Sequence, residues 1–323
     1  MGLSWISVAL AGILAASSAT ARPPSQGLQF VDYTDEFAKV WQESSPLPDD
    51  QRVTAFRAAF AKILPGFYEP ERVKDFIKPQ RYNELILTGL KQYPEKHEGI
   101  ARVSREFSGL VGPAQREFEA TFGPMTGYPT VLIVNSFGEF DGGTRELADG
   151  MHLMYGADMI AQLYQTKPIK PFVQHELFHL LHGRTFNDCE AVACNLWQEG
   201  LATYVSATLN PGADDAALGL TMPAPIRPAV EANRKAAICA VRERLESDKP
   251  DDYAPLFYGN RKLDGFPARM GYYIGYIVAQ DIGRTHDLKE MAAMTPDEVR
   301  PLIVQSLDSM ASCPMDGSKG ERG

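Results

Sequence analysis

Pro171 to Gly183 reads P-F-V-Q-H-E-L-F-H-L-L-H-G. The block reads as a helix from about Pro171, and it carries three of the chain's six histidines. His175 and His179 are four residues apart, so on a helix their rings stack on one face. That spacing lets two imidazoles reach one zinc ion at about 2.0–2.1 Å. Glu176 lies ~100° round the helix from His175, where a carboxylate can touch a water at the metal without becoming a ligand. His182 falls on nearly the same face, so a three-histidine set has to be weighed. Positions i and i+7 lie about 10.5 Å apart along a helix axis, so one straight helix rarely surrounds a metal, and His182 reads instead as a supporting or core residue.

A catalytic zinc needs a third protein ligand and an open position. Working outward, Trp197 to Leu209 continues as a second helix, W-Q-E-G-L-A-T-Y-V-S-A-T-L, which Asn210-Pro211-Gly212 ends. It offers Glu199, flanked on its far side by small residues that would let the two helices approach closely. Farther on, G-Y-Y-I-G-Y-I-V-A-Q from Gly271 lies in a helix from Arg269 to Asp281 and supplies tyrosines as oxyanion donors. Tyr272, Tyr273 and Tyr276 are the candidates, and the spacing leaves the choice among them open. The bland readings stand beside these: histidines that satisfy core hydrogen bonds, a solvated Glu199, and tyrosines packed for their rings.

H-E-L-F-H followed by Glu199 in a W-x-E-G-L-A segment resembles the gluzincin zinc peptidases, which include thermolysin-like and aminopeptidase-N-like enzymes. The chain is also similar, over residues 128 to 285, to an uncharacterised family of secreted H-E-x-x-H proteases that share the E-G-L-A and G-Y-x-x-G-Y segments. The resemblance implies a zincin-like catalytic domain with one zinc ion on His175, His179 and Glu199. It further implies Glu176 as catalytic base and Tyr272 as the donor that steadies the oxyanion. Ile274 stands where the aminopeptidases have lysine. Nothing near Asn135 to Glu139 matches their substrate-binding strand, although Val131 to Asp141 offers a candidate edge strand for an extended peptide.

The rest of the chain frames this block. From Asp32 to Phe122 the three-to-four spacing is helical, with prolines at 46, 48, 65, 70, 79 and 94 expected to cut it into short helices. Tyr128 to Phe137 reads as a buried strand, Gly138 to Gly143 as turn, and Met151 to Tyr155 as a second strand. A loop to about Pro228, a helix holding Cys239 and a loop around Pro250–Pro255 follow. The expected fold is mainly α with a small mixed β-sheet. Its parts are an export signal over 1–21, an α-helical region over 22–123, the catalytic domain over 124–312 and a flexible tail over 313–323.

Residues 2 to 16 are uncharged and end near Ala19-Thr20-Ala21, a pattern that export peptidases cut. The expectation is therefore a periplasmic or secreted protein with no stable membrane insertion after cleavage. In an oxidising compartment Cys189, Cys194, Cys239 and Cys313 can pair in three ways, which the spacing leaves open. Cys189 and Cys194 could join only if that stretch is not one continuous helix. A net charge of −9 argues against a nucleic-acid partner. The function expected is a zinc metallopeptidase acting on a peptide or protein. The alternative is a zinc-binding periplasmic protein with a non-peptide substrate or no turnover.

Overall fold

The computed structural model describes residues 28–165, 167–187 and 189–313. The expected export signal and residues 314–323 of the expected tail lie outside them. The protein is mainly α-helical with one small mixed sheet of four strands. Among the described residues, 28–115 and 124–165 form one compact unit, and 116–123 with 167–313 form another. The sheet therefore belongs with the N-terminal helices and not, as expected, with the block that carries the histidines.

The first unit holds β1 (Phe30–Asp32), α1 (Thr34–Ser44), α2 (Asp49–Phe60), most of α3 (Pro79–Phe122), β2 (Val131–Val134), β3 (Gly142–Leu147), β4 (Gly150–Gly156) and α4 (Ala157–Tyr164). The strand order is β1-β2-β4-β3, with β2 parallel to both neighbours and β3 antiparallel to β4. The V-L-I-V of β2 is buried throughout, as a central parallel strand requires. Phe30 to Asp32 pair along one side of β2 and Leu153 to Gly156 along the other. Its backbone groups are thus already used, so β2 is not an edge to which a peptide can be added. The short β1 and the Gly-Gly start of β3 were too weakly patterned to read as strands.

Pro94 does not end a helix as expected, because α3 runs 44 residues through both Pro94 and Pro113. A proline inside a helix removes the bond to the carbonyl four residues earlier. For Pro94 that carbonyl belongs to Leu90, and it accepts instead from the Trp41 indole Nε1 at 2.7 Å and from Arg52 Nη2 at 3.4 Å. Side chains from α1 and α2 thereby repair the ladder. Next to this patch Phe37, Phe56, Phe60, Tyr68, Tyr93 and Phe137 form a buried aromatic cluster, with Phe60 and Tyr68 at 4.8 Å and Phe37 and Tyr93 at 5.0 Å. Phe137 enters it over Gly89, where a Cβ would lie 2.1 Å from the ring. The loop that delivers Phe137, whose φ is 54°, is fixed by buried Asp158, which accepts from Ser136 N, Ser136 Oγ and Gly138 N at 2.6, 2.9 and 2.7 Å.

The second unit holds the last turns of α3 and then α5 (Lys170–His182), α6 (Val192–Leu209), α7 (Ile226–Glu231), α8 (Arg234–Arg244), α9 (Pro250–Phe257), α10 (Met270–Ile282), α11 (Leu288–Ala293) and α12 (Pro296–Met310). Pro250 opens a helix in what was expected to be a loop, since proline suits a first helical position. α11 and α12 lie beyond the expected last helix. Both start on capping boxes, Asp287 with Glu290 and Thr295 with Glu298, a signal present in the sequence. The centre of the unit is the crossing of α6 and α10. There a Cβ on Gly200 would lie 2.2 Å from the Gly275 carbonyl carbon, and one on Gly275 would lie 2.3 Å from the Leu196 oxygen. Bare backbones touch, which only glycine permits.

Disulfides join Cys189 to Cys194 and Cys239 to Cys313. Cys189 precedes the start of α6, so the first pair spans the non-helical stretch that its closure needs. No helix among the described residues is long and apolar enough to cross a membrane.

Candidate metal centre

α5 and α6 bring the predicted ligands together. Ser206 Oγ of α6 donates to the Pro171 carbonyl at 2.6 Å, and Asn210 Nδ2 donates to Gln174 Oε1 at 2.6 Å. Lys170 pairs with Glu117 at 2.5 Å at the start of α5. The two hydrogen bonds fix α5 and α6 side by side, the ion pair ties α5 to the last turns of α3, and the glycine contact behind Glu199 holds α6 against α10.

His175, His179 and Glu199 form a group able to hold a metal ion, with their ligand atoms all within 4.8 Å of one another. The two Nε2 atoms are 3.0 Å apart, and Glu199 Oε2 lies 3.3 Å from the first and 3.4 Å from the second. A tetrahedral zinc with bonds of about 2.05 Å places its ligands about 3.3 Å apart. The triangle has the edges such a site needs. Two imidazoles and one carboxylate are also a donor set of catalytic zinc sites, which keep a fourth position open. The side chains are 12%, 24% and 11% exposed for His175, His179 and Glu199, so the group is sheltered but not sealed.

Electrostatics tie the three together. Burial pushes His175 below its usual range, against the opposing pull of Glu199. Burial also acts on His179, but the Glu199 carboxylate outweighs it and holds that imidazole up at about 9. Glu199 itself is desolvated, yet the two histidines keep it well below the usual carboxylate range. A metal ion binding there has to displace the proton that Glu199 holds on His179, because only a neutral imidazole can be a ligand.

Glu176 is half-buried on the next part of the α5 surface, and its charge reaches both His179 and Tyr272. Of the three candidate tyrosines, Tyr272 is the one at the site, its ring stacked near His175 with centroids 6.4 Å apart. Burial first, and the Glu199 charge second, push its hydroxyl well above the usual range, so it stays protonated. Tyr273 turns away to donate to Glu231 at 2.6 Å, and Tyr276 accepts from Gln280. His182 is not a ligand. It is 1% exposed and sandwiched between Phe178 and Phe186 at 5.0 and 4.6 Å, and burial drives it down to about 3.

No family model matches the chain, and neither a curated protein nor a solved structure shows detectable similarity to it. The site accordingly stands on its own geometry. Two residues near it were not predicted. Arg269 lays its guanidinium over the Tyr272 ring at 4.2 Å and lowers His175 through its charge. Tyr253, in the segment read as a loop, feels Tyr272 and Glu199 and is raised chiefly by burial. An amphipathic helix opened by Pro250 would have been the signal for Tyr253, whereas no local pattern marks Arg269.

Proposed function

We propose that this protein is a zinc-dependent hydrolase whose substrates are peptides. The observation that carries the reading is the triangle of His175 Nε2, His179 Nε2 and Glu199 Oε2, with edges of 3.0, 3.3 and 3.4 Å. A zinc ion bound there would acidify water and polarise a carbonyl. The chain's own groups supply the rest. Glu176, beside the first histidine, takes a proton from the attacking water and later passes it to the leaving amine. Tyr272 keeps its proton and so can donate a hydrogen bond to the oxygen on which negative charge develops. The H-E-L-F-H and W-x-E-G-L-A segments, similar to those of gluzincin peptidases, support the same assignment. The pairing of all four cysteines supports export to an oxidising compartment.

The test is elemental analysis and peptide turnover on purified protein, wild type beside Glu199→Ala and Glu176→Gln. One zinc per wild-type chain, a sharp fall in E199A, and full zinc without turnover in E176Q are expected. Full zinc in E199A would remove the third ligand, and retained turnover in E176Q would remove the base. Zinc without turnover of any peptide by wild type would leave a metal-binding protein and end the peptidase reading.

A further inference from the structure

Arg269 sits where local physics favours other residues. Its backbone is left-handed, with φ 62° and ψ 21°, a conformation natural to glycine and strained for a long side chain. As the N-cap of α10 it makes no side-chain cap bond, and its charge lies at the positive end of the helix dipole. The surroundings hold it there. A Cβ on Gly271 would lie 2.6 Å from the Phe257 ring and 2.9 Å from the Leu256 oxygen, so the start of α10 is pressed against the end of α9. Strain that the surrounding packing maintains gathers at functional sites.

The side chain is engaged by Tyr272, three residues on. Its guanidinium carbon lies 4.2 Å from the centre of the Tyr272 ring, and the guanidinium also donates a hydrogen bond to the Tyr272 hydroxyl oxygen. His175 and Phe257 border the same ring, with centroids 6.4 and 6.2 Å away. One cation and two rings therefore fix this phenol beside the ligand group. Its single hydrogen turns toward whichever acceptor is offered. Glu199 and Glu176 both act on the hydroxyl through their charges and so compete for that hydrogen. Arginine has donors only, so it engages the oxygen without taking the hydrogen, and its charge opposes that of the carboxylates.

We propose that Arg269 is a positioning residue that fixes the ring of Tyr272 and engages its hydroxyl oxygen, leaving the hydroxyl hydrogen for the substrate oxygen on which negative charge develops. The role rests on the hydrolase reading above, in which Tyr272 steadies that oxygen. Arg269 itself touches no reacting atom and acts through Tyr272. Its strained backbone is kept because it delivers the guanidinium to that ring.

The experiment compares wild type, Arg269→Met, Arg269→Gly, Tyr272→Phe and the variant that combines Arg269→Met with Tyr272→Phe. On zinc-loaded protein, with the peptide that wild type turns over fastest, Y272F should lower kcat roughly 10²-fold and R269M roughly tenfold, each with KM nearly unchanged. The double variant should be no slower than Y272F, since Arg269 acts through that hydroxyl. On metal-free protein carrying carbon-13 at tyrosine Cζ, the resonance missing from Y272F should move in both Arg269 variants more than any other tyrosine resonance. Glycine suits the left-handed backbone, so R269G should melt close to wild type although its kcat falls as in R269M. Wild-type kcat in both Arg269 variants, an equal loss from R269M with and without the Tyr272 hydroxyl, or an unmoved Tyr272 resonance would overturn the proposal. Failure of the hydrolase reading looks different: no peptide is turned over, while the Tyr272 resonance still decides whether Arg269 holds that hydroxyl.

Discussion

Gly275→Ala puts the packing of the site to a test in which two effects have opposite signs. Alanine is favoured over glycine inside a helix by ~1 kcal/mol, so propensity alone predicts a more stable protein. The added Cβ, however, would lie 2.3 Å from the Leu196 carbonyl oxygen and 2.8 Å from the Gly200 Cα. Both obstacles are backbone, so no side-chain rotation relieves them, and α6 must move off α10 by about 1 Å to restore ordinary contact. Overpacking of this kind costs about 1–3 kcal/mol, and a collision of backbone with backbone belongs at the upper end. Set against the propensity gain, the net loss is about 2 kcal/mol, or roughly 4–8 °C in Tm for a chain of this size. Glu199 precedes Gly200, and metal–ligand distances tolerate only about 0.2 Å, so zinc affinity should fall at least roughly tenfold. Calorimetric melting and a zinc competition titration read both effects. Gly109→Ala is the control, a helical glycine with nothing within 4 Å of its Cβ position, and should be neutral or stabilising. A G275A protein that melts as high as wild type and binds zinc as tightly would refute the view that bare backbone contact positions Glu199.

Two further outcomes test other parts of the fold. Asp158→Asn replaces an acceptor with a donor opposite the Ser136 and Gly138 groups and should cost about 1–3 kcal/mol; urea unfolding with no loss would show that loop 136–138 does not depend on it. Breaking Cys239–Cys313, which spans 74 residues, should cost about 4 kcal/mol by chain entropy, against about 2 kcal/mol for Cys189–Cys194 with its separation of 5. Paired Cys→Ser variants compared by denaturant titration check the order, and a larger loss from the short bridge would contradict it.

That His175, His179 and Glu199 come together as a group able to hold a metal ion was legible in sequence because helical spacing is local. His175 and His179 are neighbours by periodicity alone, and Glu199 lies on the helix that follows. The helical class and the buried strand V-L-I-V were equally local. What stayed hidden depended on contacts between distant segments. Pro94 looked like a helix stop because the donors that rescue the Leu90 carbonyl come from Trp41 and Arg52. The sheet joined the N-terminal unit because three residues of β1 pair with β2. Arg269 carries no pattern at all, since it is recognisable only by its backbone conformation and by the ring that it covers.

The rescue of Leu90 also has a consequence for the order of events in folding. A helical segment can act as an early seed only if its own hydrogen bonds sustain it. At Pro94 they cannot, since the missing bond is restored by groups 49 and 38 residues away along the chain. A peptide cut to the length of α3 should therefore be interrupted near Pro94, and the segments on either side should become one rod only after α1 and α2 have docked. The longest helix among the described residues is, around Pro94, a late product of assembly.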